Sequence, residues 1–231
     1  MEKLIAIIPA AGAGKRLGLG VNKAFAMVRE APLLVHCLTM LAKTQLLTRA
    51  IVVVAPAEVE EAKALLDTYR DRLEGLPFTV VAGGKERQDS VANGLATITE
   101  ADCYVAVHDG ARPFAGKEVF ARTLAAAVEH GAAIAAVPVK DTIKLVAGGM
   151  VRFTPERSSL WAVQTPQIFQ VELLKRAYAR LAETGAAVTD DASVVELLDH
   201  KVAVALGRYE NIKITTPEDL VFAKELLAEQ E

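Results

Sequence analysis

Several kinds of signal are missing from this chain of 231 residues. Positive charge is not in excess: 26 lysines and arginines face 29 aspartates and glutamates, for a net charge of −3. That argues against the basic footprint of a non-specific nucleic-acid binder, though a few local cations can still hold a small anion. Long hydrophobic runs are also missing. The early run Leu4 to Ile8 stops at Pro9, far short of the roughly 20 residues of a membrane-spanning helix. Lys3 ahead of that run mimics the start of a secretory signal, but glycines and cations follow in place of a cleavage site. A water-soluble, cytoplasmic protein without a membrane partner is expected. The two cysteines, Cys37 and Cys103, are far apart, lack metal-ligand spacing and suit a reducing cytosol as small core residues. H-E-x-x-H, C-x-x-C and G-x-S-x-G do not occur. Zinc hydrolysis and the serine-hydrolase elbow therefore have no support. No internal repeat and no low-complexity segment interrupts the chain.

What is present is an ordinary globular balance, 52% hydrophobic and 24% charged. Apolar runs of strand length recur at Leu4–Ile8, Ile51–Ala55, Phe78–Ala82, Cys103–His108 and Ile134–Val137. Such near-continuous runs suit a parallel sheet covered on both faces. Helical periodicity fills the gaps at Pro32–Lys43, Pro56–Leu73, Gln88–Ile98 and Lys117–His130, the last with Gly131 as a stop. The alternation predicts a doubly wound, mostly parallel α/β sheet. It breaks after Val139, where Thr142–Val146 and Val151–Phe153 flank Ala147-Gly148-Gly149-Met150 and predict a projecting β-hairpin. Helices at Val171–Thr184 and Ala192–Leu198, a strand at Val202–Leu206, the segment Asn211–Ile214 and a helix from Pro217 complete the chain. The expectation is one domain, 1–231, with an arm at 140–160.

The chemistry gathers at the ends of the predicted strands. The first is followed by Ala10-Ala11-Gly12-Ala13-Gly14-Lys15-Arg16, small residues whose bare N–H groups can cradle phosphate oxygens. Two familiar fingerprints fail here. Leu17 stands where G-x-G-x-x-G needs its third glycine, and Pro9 and Arg16 break the Walker pattern. A nicotinamide-linked dehydrogenase is thereby disfavoured. Lys15, Arg16 and Lys23 near this turn suggest a polyphosphate clamp, the alternative being a tight turn with solvated charges. Gly83-Gly84 and Ser90 end the third strand, where a flat base can reach the backbone. His108-Asp109-Gly110-Ala111-Arg112 ends the fourth, where Asp109 can hold a sugar hydroxyl, a metal or a water. The bland reading is a capped turn with Arg112 paired to Asp109. His108 reads as a structural hydrogen-bonding residue, Thr189 or Asp190 as a helix cap, and Trp161 as packing.

The order P-A-A-G-x-G-x-R, N-K, G-G-x-x-R-x-x-S, H-D-G-A-R-P, T-P-Q, T-D-D-A and N-I-K, from about residue 3 to 225, resembles the 2-C-methyl-D-erythritol 4-phosphate cytidylyltransferases. The resemblance implies a Rossmann-like nucleotide-binding fold. It also implies that CTP and 2-C-methyl-D-erythritol 4-phosphate, a sugar-alcohol phosphate, are joined with loss of pyrophosphate in non-mevalonate isoprenoid biosynthesis. Mg²⁺ would be bound mainly through the CTP phosphates, with no dedicated protein metal site. Ala10, Ala11, Gly12 and Gly14 would line the triphosphate, and Gly84 and Ser90 would lie near the cytosine. Arg16 and Lys23 would stabilise the transition state, and Arg157 and Lys213 would position the substrate phosphate. Asp109, Arg112, Thr142, Thr165 and Thr189 match substrate contacts, with Asp109 also beside the nucleotide. The arm would embrace a second subunit, so Thr142 and Arg157 would serve the partner's active site in a homodimer.

Two positions depart from the family pattern. Ala24 stands where many relatives have glutamine, and Lys85 where some have an acidic residue, which leaves Lys85 a backbone role at the base. Two alternatives stand beside this reading. Ribitol-5-phosphate cytidylyltransferases share the fold, the glycine loop and T-P-Q, but Pro9-Ala10-Ala11-Gly12, Leu160-Trp161 and Thr189-Asp190-Asp191-Ala192 favour the methylerythritol family. A non-catalytic nucleotide-binding module would not need Arg16, Lys23, Arg157 and Lys213 together.

Overall fold

The computed structural model describes residues 2–12 and 22–229. The chain begins with β1 (Leu4–Pro9), whose side chains alternate between two cores. Leu4, Ala6 and Ile8 face one, and Ile5 and Ile7 the other. This alternation is why β1 lies mid-sheet: both faces are apolar, so both must be covered. The short strands β2 (Met27–Val28) and β3 (Ala31–Pro32) lead into α1 (Leu33–Thr44). Next come β4 (Leu47–Val54), α2 (Val59–Thr68), β5 (Phe78–Ala82), α3 (Arg87–Ala96), β6 (Tyr104–Val107), α4 (Gly116–His130) and β7 (Ala132–Pro138). The chain then forms β8 (Leu145–Ala147), β9 (Met150–Phe153), β10 (Trp161–Gln170), α5 (Val171–Thr184), α6 (Asp191–Glu196), β11 (Ala203–Leu206) and α7 (Pro217–Ala228).

Among the described residues the main sheet has seven strands in the order β11-β7-β10-β6-β1-β4-β5. Every pairing in it is parallel except those of β10, which runs antiparallel to both β6 and β7. Leu34, Leu38 and Leu41 of α1 and Phe120 of α4 pack on one face. Val91 and Leu95 of α3 and Leu174 of α5 pack on the other. Each such side chain, fully buried, contributes on the order of 1.5–3 kcal/mol. From β1 the chain passes to β4 and β5 on one side and to β6 on the other. The carboxyl end of β1 is therefore a topological switch point, where a crevice opens between diverging loops.

The doubly wound expectation agrees with this sheet, and β5 and α5 match their predicted bounds. Two expectations need correction, and one strand is missing from the sequence reading. The predicted helix Pro56–Leu73 is broken into a 3₁₀ turn, α2 and a second 3₁₀ turn at Arg70–Leu73. Strand β10 was not read at all, because Pro166 and three glutamines hide it and its pairing with β7 slips between Val163 and Gln167. Trp161 is exposed on β10, not packed in the core. The hairpin is present, but its strands are β8 and β9, which pair with each other and not with the main sheet. Gly148 and Gly149 turn it with φ of 58° and 76°, the left-handed pair that a two-residue hairpin turn demands.

Helix α3 approaches the sheet closely at Gly94. A Cβ there would come within 2.9 Å of the Ile7 Cγ2 methyl and 3.1 Å of the Val53 Cγ2 methyl. Alanine would gain about 1 kcal/mol of helix propensity, but overpacking costs about 1–3 kcal/mol. Gly94→Ala should therefore destabilise the fold by about 1 kcal/mol, read as a lower urea midpoint with an unchanged m-value. A midpoint at or above wild type would show that α3 can shift outward without loss.

Candidate active site

The crevice at the switch point is a pocket of about 180 Å³. Its walls come from the segment after β1 (Pro9 to Gly12), Lys23 and Ala24, the turn after β5 (Gly84 to Arg87) with Ser90, the turn after β6 (Asp109 to Ala111), and Lys213. Backbone hydrogen bonds fix these segments to the sheet. The Ala10 N–H donates to the Val53 carbonyl at 2.7 Å, and the Gly83 N–H to the Val54 carbonyl at 2.7 Å. The glycine pair is sterically required. A Cβ on Gly83 would meet Ser90 Oγ at 2.6 Å, and one on Gly84 would collide with the Asp89 Cβ. Ser90, buried, accepts from the Gly84 N–H at 3.2 Å and donates to the Glu86 carbonyl at 3.2 Å. It thus shapes the turn from behind.

Two buried asparagines present the lysines. Asn22 Nδ2 donates to the Ala10 carbonyl at 2.8 Å and to Glu58 Oε2 at 2.7 Å, while its Oδ1 accepts from the Ala24 N–H at 3.0 Å. This ties the 3₁₀ turn Lys23–Phe25 to the end of β1. Asn211 Nδ2 donates to the Thr165 carbonyl at 2.9 Å and to Gln164 Oε1 at 3.2 Å. Lys213, two residues on, reaches Asp109 Oδ2 at 2.9 Å. Neither asparagine was singled out as a site residue. The signal was a polar residue one or two places ahead of a lysine, in N-K and N-I-K.

Asp109 is nearly buried among three cations. Besides Lys213, Arg112 Nε stands 3.5 Å from its Oδ2 and Arg87 Nε 3.5 Å from its Oδ1. Burial works against the carboxylate's charge, but Lys213, Arg87 and Arg112 together hold its pKa well below the usual range. Arg112 is anchored by its Nη1 donating to the Asn211 carbonyl at 2.6 Å. It sits behind Asp109, not among the residues that line the pocket. Thr165 is buried below, its Oγ1 accepting from the Asp109 N–H at 3.0 Å and meeting His108 Nδ1 at 3.1 Å. Thr189, exposed just ahead of α6, donates its N–H to Ser193 Oγ, and Asp190 caps α6 through the Ser193 N–H.

Ala10, Ala11, Gly12, Lys23, Gly84, Ser90, Asp109 and Lys213 are thus brought to one pocket. Gly14 and Arg16 lie outside the described residues. Thr142 and Arg157 are exposed on the arm side and do not line the pocket, and Arg157 Nη1 donates to the Lys140 carbonyl at 3.1 Å. Arg87, quoted within G-G-x-x-R-x-x-S but assigned no role, proves to line the pocket. Among the described residues no group of three or more His, Cys, Asp or Glu side chains is placed to hold a metal ion. Asp109 is a hard carboxylate on the pocket wall. It fits a Mg²⁺ ion that takes its other ligands from a nucleotide's phosphates.

His108 is fully buried, with Nε2 2.9 Å from the Arg112 carbonyl. Burial lowers its pKa from 6.5 to about 4. Between those pH values the unfolded chain binds a proton that the folded chain refuses, so stability falls as pH drops through that window. The unfolding free energy should be about 2 kcal/mol lower at pH 5 than at pH 7. His108→Phe, which cannot titrate, should flatten that part of the profile in denaturant titrations. An equal slope in both proteins would assign the loss to other groups.

Comparison with known proteins accords with this geometry. The family model described as 2-C-methyl-D-erythritol 4-phosphate cytidylyltransferase matches residues 4–229. Curated members from Alkaliphilus metalliredigens and Bacillus cytotoxicus are each 47% identical to the chain. The first alignment covers 98% of the chain and 93% of the relative, and the second covers 96% of each. The crystal structure of 4-diphosphocytidyl-2C-methyl-D-erythritol synthase from Anaerococcus prevotii superposes with a TM-score of 0.84 at 32% identity, covering 98% of this chain and 99% of that one. The Thermus thermophilus cytidylyltransferase gives 0.80 at 33% identity, covering 99% and 100%. With its match over residues 4–229 and its cation-lined crevice at the switch point, the chain belongs to the 2-C-methyl-D-erythritol 4-phosphate cytidylyltransferase family.

Proposed function

We propose that the enzyme transfers the cytidylyl group of CTP to the phosphate of 2-C-methyl-D-erythritol 4-phosphate. The products are pyrophosphate and 4-diphosphocytidyl-2-C-methyl-D-erythritol, on the non-mevalonate route to isoprenoid precursors. The observation that carries this reading is the switch-point pocket, where Lys23, Lys85, Arg87 and Lys213 face two carboxylates, Glu86 and Asp109. A wall of small residues with that charge excess suits a polyanion.

An oxygen of the acceptor phosphate attacks the α-phosphorus of CTP. A new P–O bond forms, the bond to the pyrophosphate breaks, and its electron pair leaves with the pyrophosphate. The attacking oxygen is already anionic, so no side chain must remove a proton. His108, neutral and sealed under Asp109, is not required as a base. The barrier is electrostatic: two phosphates must meet while charge spreads over the transition state. Cations fixed in a partly dry crevice lower it without reorganising. Lys23 and Arg16 serve the triphosphate and the transition state, and Ala10, Ala11, Gly12 and Gly14 give it backbone contacts. Gly84 and Ser90 frame the base, Asp109 stands between nucleotide and acceptor, and Lys213, Arg112, Thr165 and Thr189 serve the acceptor side. Mg²⁺, bound mainly through the CTP phosphates, would supply charge neutralisation, and Asp109 is the pocket carboxylate that would meet it.

Residues 1–231 act in this reading as one catalytic domain, with 140–160 as an arm that embraces a second subunit. Met150, Val151 and Phe153 of β9 are each more than half exposed, and apolar side chains so exposed are suited to burial against a partner. Thr142 and Arg157 then complete the partner's pocket. The buried, unpaired thiols of Cys37 and Cys103 suit a reducing cytoplasm.

Mg²⁺-dependent pyrophosphate release from CTP should be strong with 2-C-methyl-D-erythritol 4-phosphate and weak with ribitol 5-phosphate. The reverse preference would move the protein to the ribitol-5-phosphate enzymes, and CTP binding with no release would favour a non-catalytic module. Lys23→Ala and Arg16→Ala should each lose about 100- to 1,000-fold in kcat with the fold intact. Near-wild-type turnover would remove that residue from the mechanism. Shared sites have their own test. Lys23→Ala and Arg157→Ala subunits, each inactive alone, should regain about a quarter of wild-type activity when mixed, since half the dimers carry one intact site. No recovery in a mixed dimer, or a monomeric mass, would place Arg157 outside the site.

A further inference from the structure

Arg87 opens α3 on the pocket wall and reaches in two directions. Its Nε stands 3.5 Å from Asp109 Oδ1, and its Nη2 makes a 2.7 Å ion pair with Asp191 Oδ2. Asp191 is fully buried and does not line the pocket. Its other oxygen, Oδ1, accepts from the Tyr178 hydroxyl at 2.7 Å. The residue thus bridges the carboxylate that faces the ligand and a second carboxylate sealed in the core. Burying Asp191 without a cation would leave an uncompensated charge, so the Arg87 guanidinium is held where it is from behind. A planar guanidinium can serve both carboxylates at once with defined angles, which an ammonium cannot do. Lys213 and Arg112 both approach Oδ2 of Asp109, so Arg87 is the one of the three cations that restrains Oδ1.

We propose that Arg87 is a positioning residue for CTP: anchored by Asp191 and Tyr178, it fixes the orientation of the Asp109 carboxylate against the nucleotide. This rests on the cytidylyltransferase reading above. The relay links the nucleotide wall to α5 and α6 through groups that never touch substrate, so a buried residue outside the pocket controls nucleotide use.

The test measures pyrophosphate release by the full-length enzyme, with KM for CTP and for 2-C-methyl-D-erythritol 4-phosphate determined separately and Tm recorded for each variant. Arg87→Gln and Asp191→Asn should each raise KM for CTP by about 10- to 100-fold, the weight of one charge-assisted hydrogen bond. KM for the acceptor should rise by a smaller factor than KM for CTP, because Lys213 still holds the other oxygen of Asp109. Arg87→Lys should rescue only in part, because a point charge cannot bridge both carboxylates. Tyr178→Phe, which removes one hydrogen bond to Asp191, should shift KM for CTP in the same direction by less. It also keeps the idea testable where Asp191→Asn does not fold. A merely structural role would lower Tm and the active fraction while leaving KM for CTP unchanged, and that result would overturn the proposal. Full rescue by Arg87→Lys would also overturn the bridging geometry. A wild-type enzyme that releases no pyrophosphate would instead overturn the underlying reading of function, a different and separable outcome.

Discussion

Asp109 carries a negative charge into a place with little water, and that cost organises the site around it. Removing a carboxylate from water costs several kcal/mol unless nearby charge offsets it. Here the offset comes from Lys213 at 2.9 Å and from Arg112 and Arg87 at 3.5 Å. Each cation stands on a different piece of chain: the segment after β11, the turn after β6 and the start of α3. The buried carboxylate thus ties the docking of these three segments to one another. Lys213 and Arg87 also line the pocket, so they are already in place for an anionic ligand, with little reorganisation left to pay for at the moment of reaction.

Lys23 and Lys213 on the pocket wall are presented by asparagines that do not line it. Asn22 ties its 3₁₀ turn to the end of β1, and Asn211 ties its segment to Gln164 and Thr165. Thr165 in turn supports the backbone of Asp109 and caps one nitrogen of His108. These buried hydrogen bonds remove freedom from the backbone that carries each cation. Electrostatic catalysis depends on that rigidity, because a charge free to relax toward solvent stabilises the ground state as well as the transition state.

Much of the fold was legible because local pattern reports burial. The apolar runs of β1, β4, β6 and β7 mark strands covered on both faces, and the sharp periodicity of α5 marks its buried side. Strand β10 was not legible, because Gln164, Pro166 and Gln167 interrupt its apolar run. Those glutamines are buried and satisfied only by partners far along the chain: Gln164 bonds the Arg208 carbonyl, and Gln167 bonds Asp190. Trp161 reads as packing, yet it is exposed at the start of β10, beside the arm. The site divided in the same way. The glycine turn, Lys23, Gly84, Asp109 and Lys213 were recognisable as chemistry, whereas the partnership of Arg87 with Asp191 was not.

From local pattern came most of the strands and helices, though not β10, together with the stock of small residues and cations and the family whose motifs the chain carries. Those features are local: a period of burial, a missing Cβ, a charge at a known position. Tertiary structure alone decided which charges meet. Arg87 and Asp191 stand more than 100 positions apart, as do Asp109 and Lys213. Whether they touch depends on the order of strands in the sheet and on where β10 inserts. Coulomb energy falls with distance in space and takes no account of distance along the chain. The pairing that sets Asp109 became readable only when the sheet had brought its partners together.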